Sequence, residues 1–580
     1  FRAGGVRALE PSLGDGVQQL CESLVDRDLI RLIEGDRYSF RHILIQEVAY
    51  GTLPRAERAR LHAEAAAWGE SLAGERDLAL AEILAFHYRE AAVLYTALEP
   101  AAEVTLKTRQ QAAKWLLRAA DLASAAAATP EAVRHIRASY DFVDPAMLPR
   151  LHERIGDMTA GDSGLEEYRL ALEGYEAIGS PVDDQLRALA GMLMVATRWS
   201  GSIGDRPSEK WMDDLRTRGA DLLSRASDRY SIGRFLAADA FFPFWRQALR
   251  EPRPDEIAQA ESSAKRAIEI AKELDSYELR SVALDAIGAF SSAVNDWPRA
   301  RNTADERIRF EDKLGLYERL DAHSMRAWMS YLMGDLETAD KDSAQMVARL
   351  LPGQAPFPAL HLYAWRTVVL NALGRWDEAV SIFWRAVDAW HDAGSHSAGY
   401  AIRGFLSGYD IGKARGDSRL MGAATEPMES ILSRLRIRHP LRTMIAPYMQ
   451  GDAGLTARDP FIRFTAYPTE MAERRLNLAA DTRAEVSVEV LEKYLARSAR
   501  IHAPMLEAQV RRLRGLVLRD ASELAAAIAI WEPRGALPSL GRARAERGLV
   551  RRDSAEMEDG LALLKKLGDV NYLDRFKAAI

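Results

Sequence analysis

Apolar positions recur every third or fourth residue along most of the chain, in segments dominated by Ala, Leu, Arg and Glu, and β-branched alternation is rare. That pattern predicts amphipathic helices buried along one face. From about Ala81 onward, helical segments of ~12 to 18 residues alternate with short breaks. One stretch departs from it. In residues 29–40, LIRLIEGDRYSF, two short apolar runs flank Glu34-Gly35-Asp36, a tripeptide suited to closing a hairpin. The helix-like RHILIQEVAYGTL follows, and Pro54 then stands at the first turn of PRAERARLHAEAAAWGESL. Helix, hairpin, helix is the order of a winged helix, expected within residues 1–70.

The helical part repeats itself. In residues 360–390, LHLYAWRTVVLNALGRWDEAVSIFWRAVDAW, Gly374 occupies the turn, Trp376 and Ala379 open the second helix, and Phe383 and Ala386 continue its apolar stripe. The same frame places Gly334, Leu336 and Ala339 in one earlier copy and Asn295, Trp297 and Ala300 in another. Gly374 follows Gly334 by 40 residues, and Gly334 follows Asn295 by 39. A small residue after each turn lets two antiparallel helices cross closely. Weaker copies occur at 120–140 and 168–175 and near the end, in LEAQVRRLRGLVLRDASELAAAIAIWEPRGA and the segment after it. The predicted fold is all-α: a solenoid of helical hairpins over 71–450, preceded by a small unit with one β-hairpin. A break near 451–470 is expected to set off a terminal helical block, 451–580.

Composition narrows the function. A repeat array accommodates 580 residues, more than one core serves. Lys plus Arg is 78 against 84 for Asp plus Glu, which leaves no broad positive field for nucleic acid. No apolar run approaches the ~18 residues of a membrane span. The single cysteine, Cys21, makes neither an intrachain disulfide nor a thiolate cluster, and no secretory leader opens the chain, so a reducing cytoplasm is expected. Because the first residue is Phe1, the chain is expected to be the C-terminal part of a longer protein.

The segment YSFRHILIQEVAYGTLPRAERARLHAEAAAWGE resembles the winged helix that closes the ATPase module of bacterial signal-transduction ATPases with numerous domains. The resemblance is strongest to proteins joining a class III adenylate or guanylate cyclase to an AAA-type ATPase and a tetratricopeptide array. LuxR-type large ATP-binding regulators share the same middle and are the alternative. The frame carrying Gly374, Ala379, Phe383 and Ala386 resembles tetratricopeptide repeats, although its period near 40 exceeds the ~34 of that family. The resemblance implies an upstream ATPase module that uses ATP or ADP with Mg, and no cofactor in this chain. A phosphate loop requires G-x-x-x-x-G-K-[ST], whereas SGYDIGKAR has Ser407 and Ala414 at the deciding positions. It also implies a role for Arg41-His42: His42 would donate to the phosphate of bound ADP, and Arg41 would steady the contact between modules. The alternative is a histidine satisfied at a strand–helix junction.

No catalytic constellation is expected. His391 and His396 stand five apart, about 140° around a helix, and read as two solvated histidines rather than metal ligands. FFPFW, residues 241–245, reads as a buried packing point, and the basic runs 511–519 and 542–552 read as solvated faces. DTRAEVSVEVLEKYL, residues 481–495, echoes the opening of a LuxR-type reader without its recognition helix. Solenoids bind along the concave face formed by the first helix of each hairpin. That face is expected to present Asp285, Ser292, Ser324, Trp328, Tyr331, His361, Val368 and Asn371 to a protein or peptide. The expected function is a non-catalytic sensor and interaction arm whose parent drives a nucleotide cyclase. A LuxR-type reader would sit at the C-terminus, and the chain reaches Ile580 in helical repeat.

Overall fold

Gly35 stands at φ 57°, a conformation open to a residue without Cβ, and closes the antiparallel strands β1 (Ile30–Glu34) and β2 (Arg37–Phe40). Ile30 faces Phe40 and Leu32 faces Tyr38, and Ile30 and Tyr38 share a small core with Ala3, Val17 and Cys21. The hairpin lies where the turn tripeptide placed it. It forms the one sheet among the described residues. The computed structural model describes residues 1–579 except 73–77, 205, 436–439, 457–458, 460 and 462–468.

Two units divide the chain, Phe1–Met158 and Thr159–Ile580. The first contains α1 (Ala3–Leu9), α2 (Gly16–Asp26), the hairpin, α3 (Ile43–Thr52), α4 (Arg55–Leu72), α5 (Leu78–Leu98), α6 (Glu103–Ala125), α7 (Thr129–Ser139) and α8 (Leu148–Met158). Contacts do not separate at residue 70, because Ala66 of α4 shares one core with Ala81, Leu84 and Ala85 of α5.

The second unit begins with α9 (Gly161–Ala177), α10 (Val182–Thr197), α11 (Glu209–Arg225), α12 (Arg229–Asp239), α13 (Phe242–Arg246) and α14 (Pro254–Glu273). Four hairpins follow: α15 (Tyr277–Ala293) with α16 (Trp297–Ile308), α17 (Leu316–Leu332) with α18 (Leu336–Arg349), α19 (Pro356–Leu373) with α20 (Trp376–Asp392), and α21 (Ile402–Arg415) with α22 (Ser418–Arg434). Their first helices pack side by side in one row, α15 on α17, α17 on α19 and α19 on α21. This is an all-α solenoid. After α23 (Pro440–Met449), the helices Thr469–Thr482, Val488–Arg500, Pro504–Leu518, Ala521–Trp531, Leu537–Arg551, Ser554–Leu567 and Val570–Ala579 form the terminal block.

One turn chemistry recurs. Asn295, Gly334, Gly374 and Gly416 all have φ between 64° and 76°, and the next backbone N–H reaches back to the last turn of the helix, as in Asp335 N to Ser330 O at 2.8 Å and Asp417 N to Gly412 O at 2.8 Å. This left-handed cap satisfies carbonyls that the helix end leaves free. At three of the four turns the following residue is an aspartate that caps the second helix: Asp296, Asp335 and Asp417 accept from the backbone N–H of Arg299, Thr338 and Leu420. In the terminal block the left-handed position is taken by Arg519 and Arg552, each followed by a capping aspartate, Asp520 and Asp553. The glycine signal is therefore missing at these two turns, although Gly568 and Asp569 repeat it before the last helix.

The terminal block is not set apart from the array. Leu537–Arg551 packs on α19 and Val570–Ala579 on α21, so contacts do not divide the chain at 450. The hairpin turns themselves are docking points. A Cβ on Gly374 would lie 3.0 Å from Leu567 Cδ2 and 3.2 Å from Leu537 Cβ, and one on Gly334 would meet Pro504 Cγ at 2.7 Å.

Candidate functional site

The expected groove residues all lie on the row of first helices, α15, α17 and α19, and the terminal block packs on that row. Tyr331 donates its hydroxyl to Glu473 Oε2 at 2.7 Å, and Arg474 donates to Asp410 Oδ2 at 2.9 Å and to Ser407 Oγ at 2.6 Å. Tyr448 of α23 donates to Asp410 Oδ1 at 2.7 Å. Burial pushes the Glu473 carboxyl up to about 8 despite the hydrogen bond from Tyr331, so Tyr331 donates to a neutral acid. Of the expected groove, Asp285, Ser324, Tyr331, His361 and Val368 are buried, while Ser292, Trp328 and Asn371 are half-buried. The expectation of an open peptide groove is therefore corrected: α23 and the terminal helices occupy part of the face.

Two hydroxyls of the expected set serve their own helices. Ser292 Oγ donates to Ala289 O at 2.7 Å and Ser324 Oγ to Leu320 O at 2.8 Å. His361 Nε2 accepts from Trp365 Nε1 at 3.2 Å, and burial holds the ring down at about 4, so it is neutral. Asp285 belongs to a buried cluster of charge. Arg307 donates to Asp285 Oδ1 at 2.8 Å, to Asp321 Oδ2 at 2.6 Å and to Ser281 Oγ at 2.9 Å. Arg198, just past α10, donates to Asp285 Oδ2 at 2.7 Å, to Glu318 Oε1 at 2.6 Å and to Asp321 Oδ2 at 2.8 Å. Burial pushes Asp285 up to about 6 against the pull of Arg307. For Asp321 burial acts the same way, but Arg198 and Arg307 prevail and hold it at about 2. Neither arginine was singled out from sequence. A signal was present, since Arg307 continues the buried spacing of Ala300 and Ala304.

Among the described residues, two cavities lie along this face. The larger, 270 Å³, is lined by Asp285, Ser292, Trp328 and His361 of the expected set, together with Arg198, Arg403 and Glu470. The smaller, 140 Å³, is lined by Tyr331, Val368 and Asn371, with Glu470 again on its wall. Ser324 lines neither.

Arg41 and His42 lie in the first unit. Arg41 Nε donates to Asp28 Oδ1 at 2.6 Å. His42 precedes α3 in extended backbone, its side chain does not cap the helix, and it is exposed. The α3 helix buries none of its residues: Ile43, Leu44 and Val48 are 65%, 67% and 69% exposed.

Other sequence readings resolve individually. Phe241, Phe242, Pro243 and Trp245 are buried. Ser407, Gly412 and Lys413 lie inside α21. His391 is exposed, but His396 is not solvated: its Nε2 lies 3.0 Å from the Tyr400 hydroxyl, and burial lowers it to about 4. The basic runs are not wholly solvated either. Arg512 is fully buried and donates to Glu546 Oε2 and Asp481 Oδ1, each at 2.7 Å, and Arg542 donates to Asp569 Oδ2 at 2.6 Å. Among the described residues no group of histidine, cysteine and carboxylate side chains forms a metal site, and no helix is long and apolar enough to cross a membrane.

No family model matches this sequence, and no curated protein matches it. Solved structures similar to it are helical. A signal-transduction ATPase with numerous domains and a tetratricopeptide-repeat sensor, from Pyrococcus horikoshii, is 12% identical, with a TM-score of 0.35 over 75% of this chain and 60% of that one. This chain thus spans less than two thirds of that protein's length. The complex of Naa15/Naa10 bound to HypK gives 10% identity and a TM-score of 0.19 over 95% of this chain and 96% of that one. A circular tandem repeat protein gives 15% and 0.12 over 87% of this chain and 100% of that one. At these TM-scores the architecture rests on the chain's own helices and turns.

Proposed function

We propose that this chain is the non-catalytic sensor and interaction arm of a larger cytoplasmic signal-transduction ATPase, with the helix–hairpin–helix at its start acting as the winged helix that meets the ATPase module. The observation that carries this reading is α3. A helix that leaves Ile43, Leu44 and Val48 in solvent presents an apolar face of the kind that marks an interface. His42 stands exposed at its beginning, able to reach a phosphate held by that module. The parent holds ATP or ADP with Mg, this chain holds neither, and the output is a class III nucleotide cyclase. The array supplies the sensing: a protein or small ligand seated on the inner face shifts the equilibrium of the ATPase between closed and open states.

The test is His42→Ala in the full-length parent. A charge-assisted hydrogen bond worth ~1.5 to 3 kcal/mol makes ADP leave roughly 10- to 150-fold faster from the variant, with raised basal output and an intact helical array. Equal ADP dissociation and equal basal output in the two proteins overturn the role of His42. Ile43→Ser with Val48→Ser separates the module contact from the hydrogen bond: it loosens the contact, read as faster amide exchange in α3, while this chain alone keeps its stability.

A further inference from the structure

The 270 Å³ cavity joins the inner row to the start of the Thr469–Thr482 helix, through Thr469 and Glu470 on its wall. One charged group there is incompletely satisfied. Arg403, at the start of α21, has its Nε and Nη1 buried without a hydrogen-bond partner among the described residues. Its guanidinium carbon lies over two stacked indoles, 4.2 Å from the Trp365 ring centre and 5.3 Å from that of Trp328. The nearest carboxylate, Glu470 Oε1, lies 3.4 Å from Nη1 and makes an ion pair without a hydrogen bond.

A buried donor without an acceptor is costly, and a guanidinium fixed by aromatic stacking loses little further freedom on binding. The other charges on the wall are differently placed. Asp285 and Asp321 already accept from Arg198 and Arg307 and Glu470 is ion-paired with Arg403, so a cation entering the cavity meets only carboxylates that an arginine already faces. Much of the remaining wall is aromatic, with Trp199, Phe241, Phe244 and Trp297 on it beside the polar Gln247, Ser292, Asn295 and His361. Rings of this kind receive a planar body, and a polar group fixes its orientation.

We propose that this cavity is a binding site for a small aromatic anion, an aryl carboxylate or aryl phosphate, with Arg403 taking the anionic group and the aromatic wall the ring. The site lies in the sensor arm of the function proposed above and names its ligand class. Its biological role rests on that reading; ligand binding does not, because it is measured on this chain without any ATPase. Glu470 competes with the ligand for Arg403 and heads a helix of the terminal block, so occupation of the site changes how that block is held.

The experiment is calorimetry and tryptophan fluorescence on this chain with benzoate, phenyl phosphate, benzyl alcohol and benzylamine. Saturable binding of benzoate or phenyl phosphate, at least tenfold tighter than benzyl alcohol and benzylamine, is expected; whichever anion binds more tightly identifies the acceptor class. Arg403→Gln weakens that binding roughly 10- to 150-fold. Glu470→Gln removes the competing carboxylate and tightens it. Because Arg403→Gln can also disturb the fold, Glu470→Gln and the neutral and cationic probes decide the matter independently. The proposal is overturned if neither anion binds saturably, if benzylamine or benzyl alcohol binds as tightly as the anions, if a folded Arg403→Gln protein binds them unchanged, or if Glu470→Gln leaves their affinity unchanged or weakens it.

Discussion

The Tyr331 hydroxyl donates to Glu473 Oε2 over 2.7 Å, a bond between residues 142 apart in sequence. It ties the inner row of the array to the terminal block at a point where both partners are buried. Everything that could enter the groove from outside must share the face with this contact.

Glu473 makes stability depend on pH. An unfolded glutamate releases its proton near its ordinary 4.5, whereas burial keeps the folded group protonated up to about 8. Between those values the unfolded state binds fewer protons than the folded one, so stability falls as pH rises through the window and levels off above it. Glu473→Gln keeps an acceptor for Tyr331 and removes the titration. Urea midpoints are expected to be similar for the two proteins at pH 4.5, with the variant pulling ahead steadily to pH 8. Parallel profiles across that range would falsify the buried neutral acid.

Arg307 is fully buried and pairs with all three carboxylates it shares with Arg198, Asp285, Glu318 and Asp321. Removing one partner of such a cluster leaves uncompensated buried charge, at a cost of about 3 to 5 kcal/mol. Arg307→Met is expected to lose that much at pH 7. It should recover part of it near pH 5, where Asp285, already raised to about 6, takes up a proton. A loss below 1 kcal/mol, or one independent of pH, refutes the assignment.

Gly374 and Gly416 have similar backbones, φ 76° and 69°, and different surroundings. A Cβ at 416 meets nothing within 4 Å, while one at 374 presses on Leu537, Pro538 and Leu567. Gly416→Ala carries only the left-handed penalty of ~1 to 2 kcal/mol. Gly374→Ala is expected to cost more and to speed amide exchange in Leu537–Arg551. Equal losses would show that the turn does not hold the terminal block.

Arg519 and Arg552 are exposed and left-handed. Replacing either with glycine relieves the backbone and is expected to stabilise the chain by roughly 0.5 to 1 kcal/mol, read as a raised thermal midpoint. Asp553→Ala, which removes the cap on the following helix, acts in the opposite direction by about 1 kcal/mol. Destabilisation by Arg552→Gly would mean that its side chain, not its backbone, is what the turn uses.

The all-α repeat and the β-hairpin were legible in the sequence because their signals are local. A 3.6-residue apolar period, a turn tripeptide and a left-handed residue before the capping aspartate all act within a few neighbours. The hairpin frame was legible for the same reason, since helical spacing alone puts Trp328, Tyr331, His361 and Val368 on first helices of successive hairpins. What covers those helices was decided only in three dimensions. Glu473 reaches Tyr331 across 142 residues, and no local pattern records that pairing. Burial of charge follows the same logic: Arg512 reads as part of a solvated basic run until Asp481 and Glu546 converge on it from other helices, and Asp285 and Asp321 meet Arg307 in the same way. An arginine is stable inside a protein only where carboxylates from elsewhere in the chain meet it, and that meeting is a property of the tertiary fold.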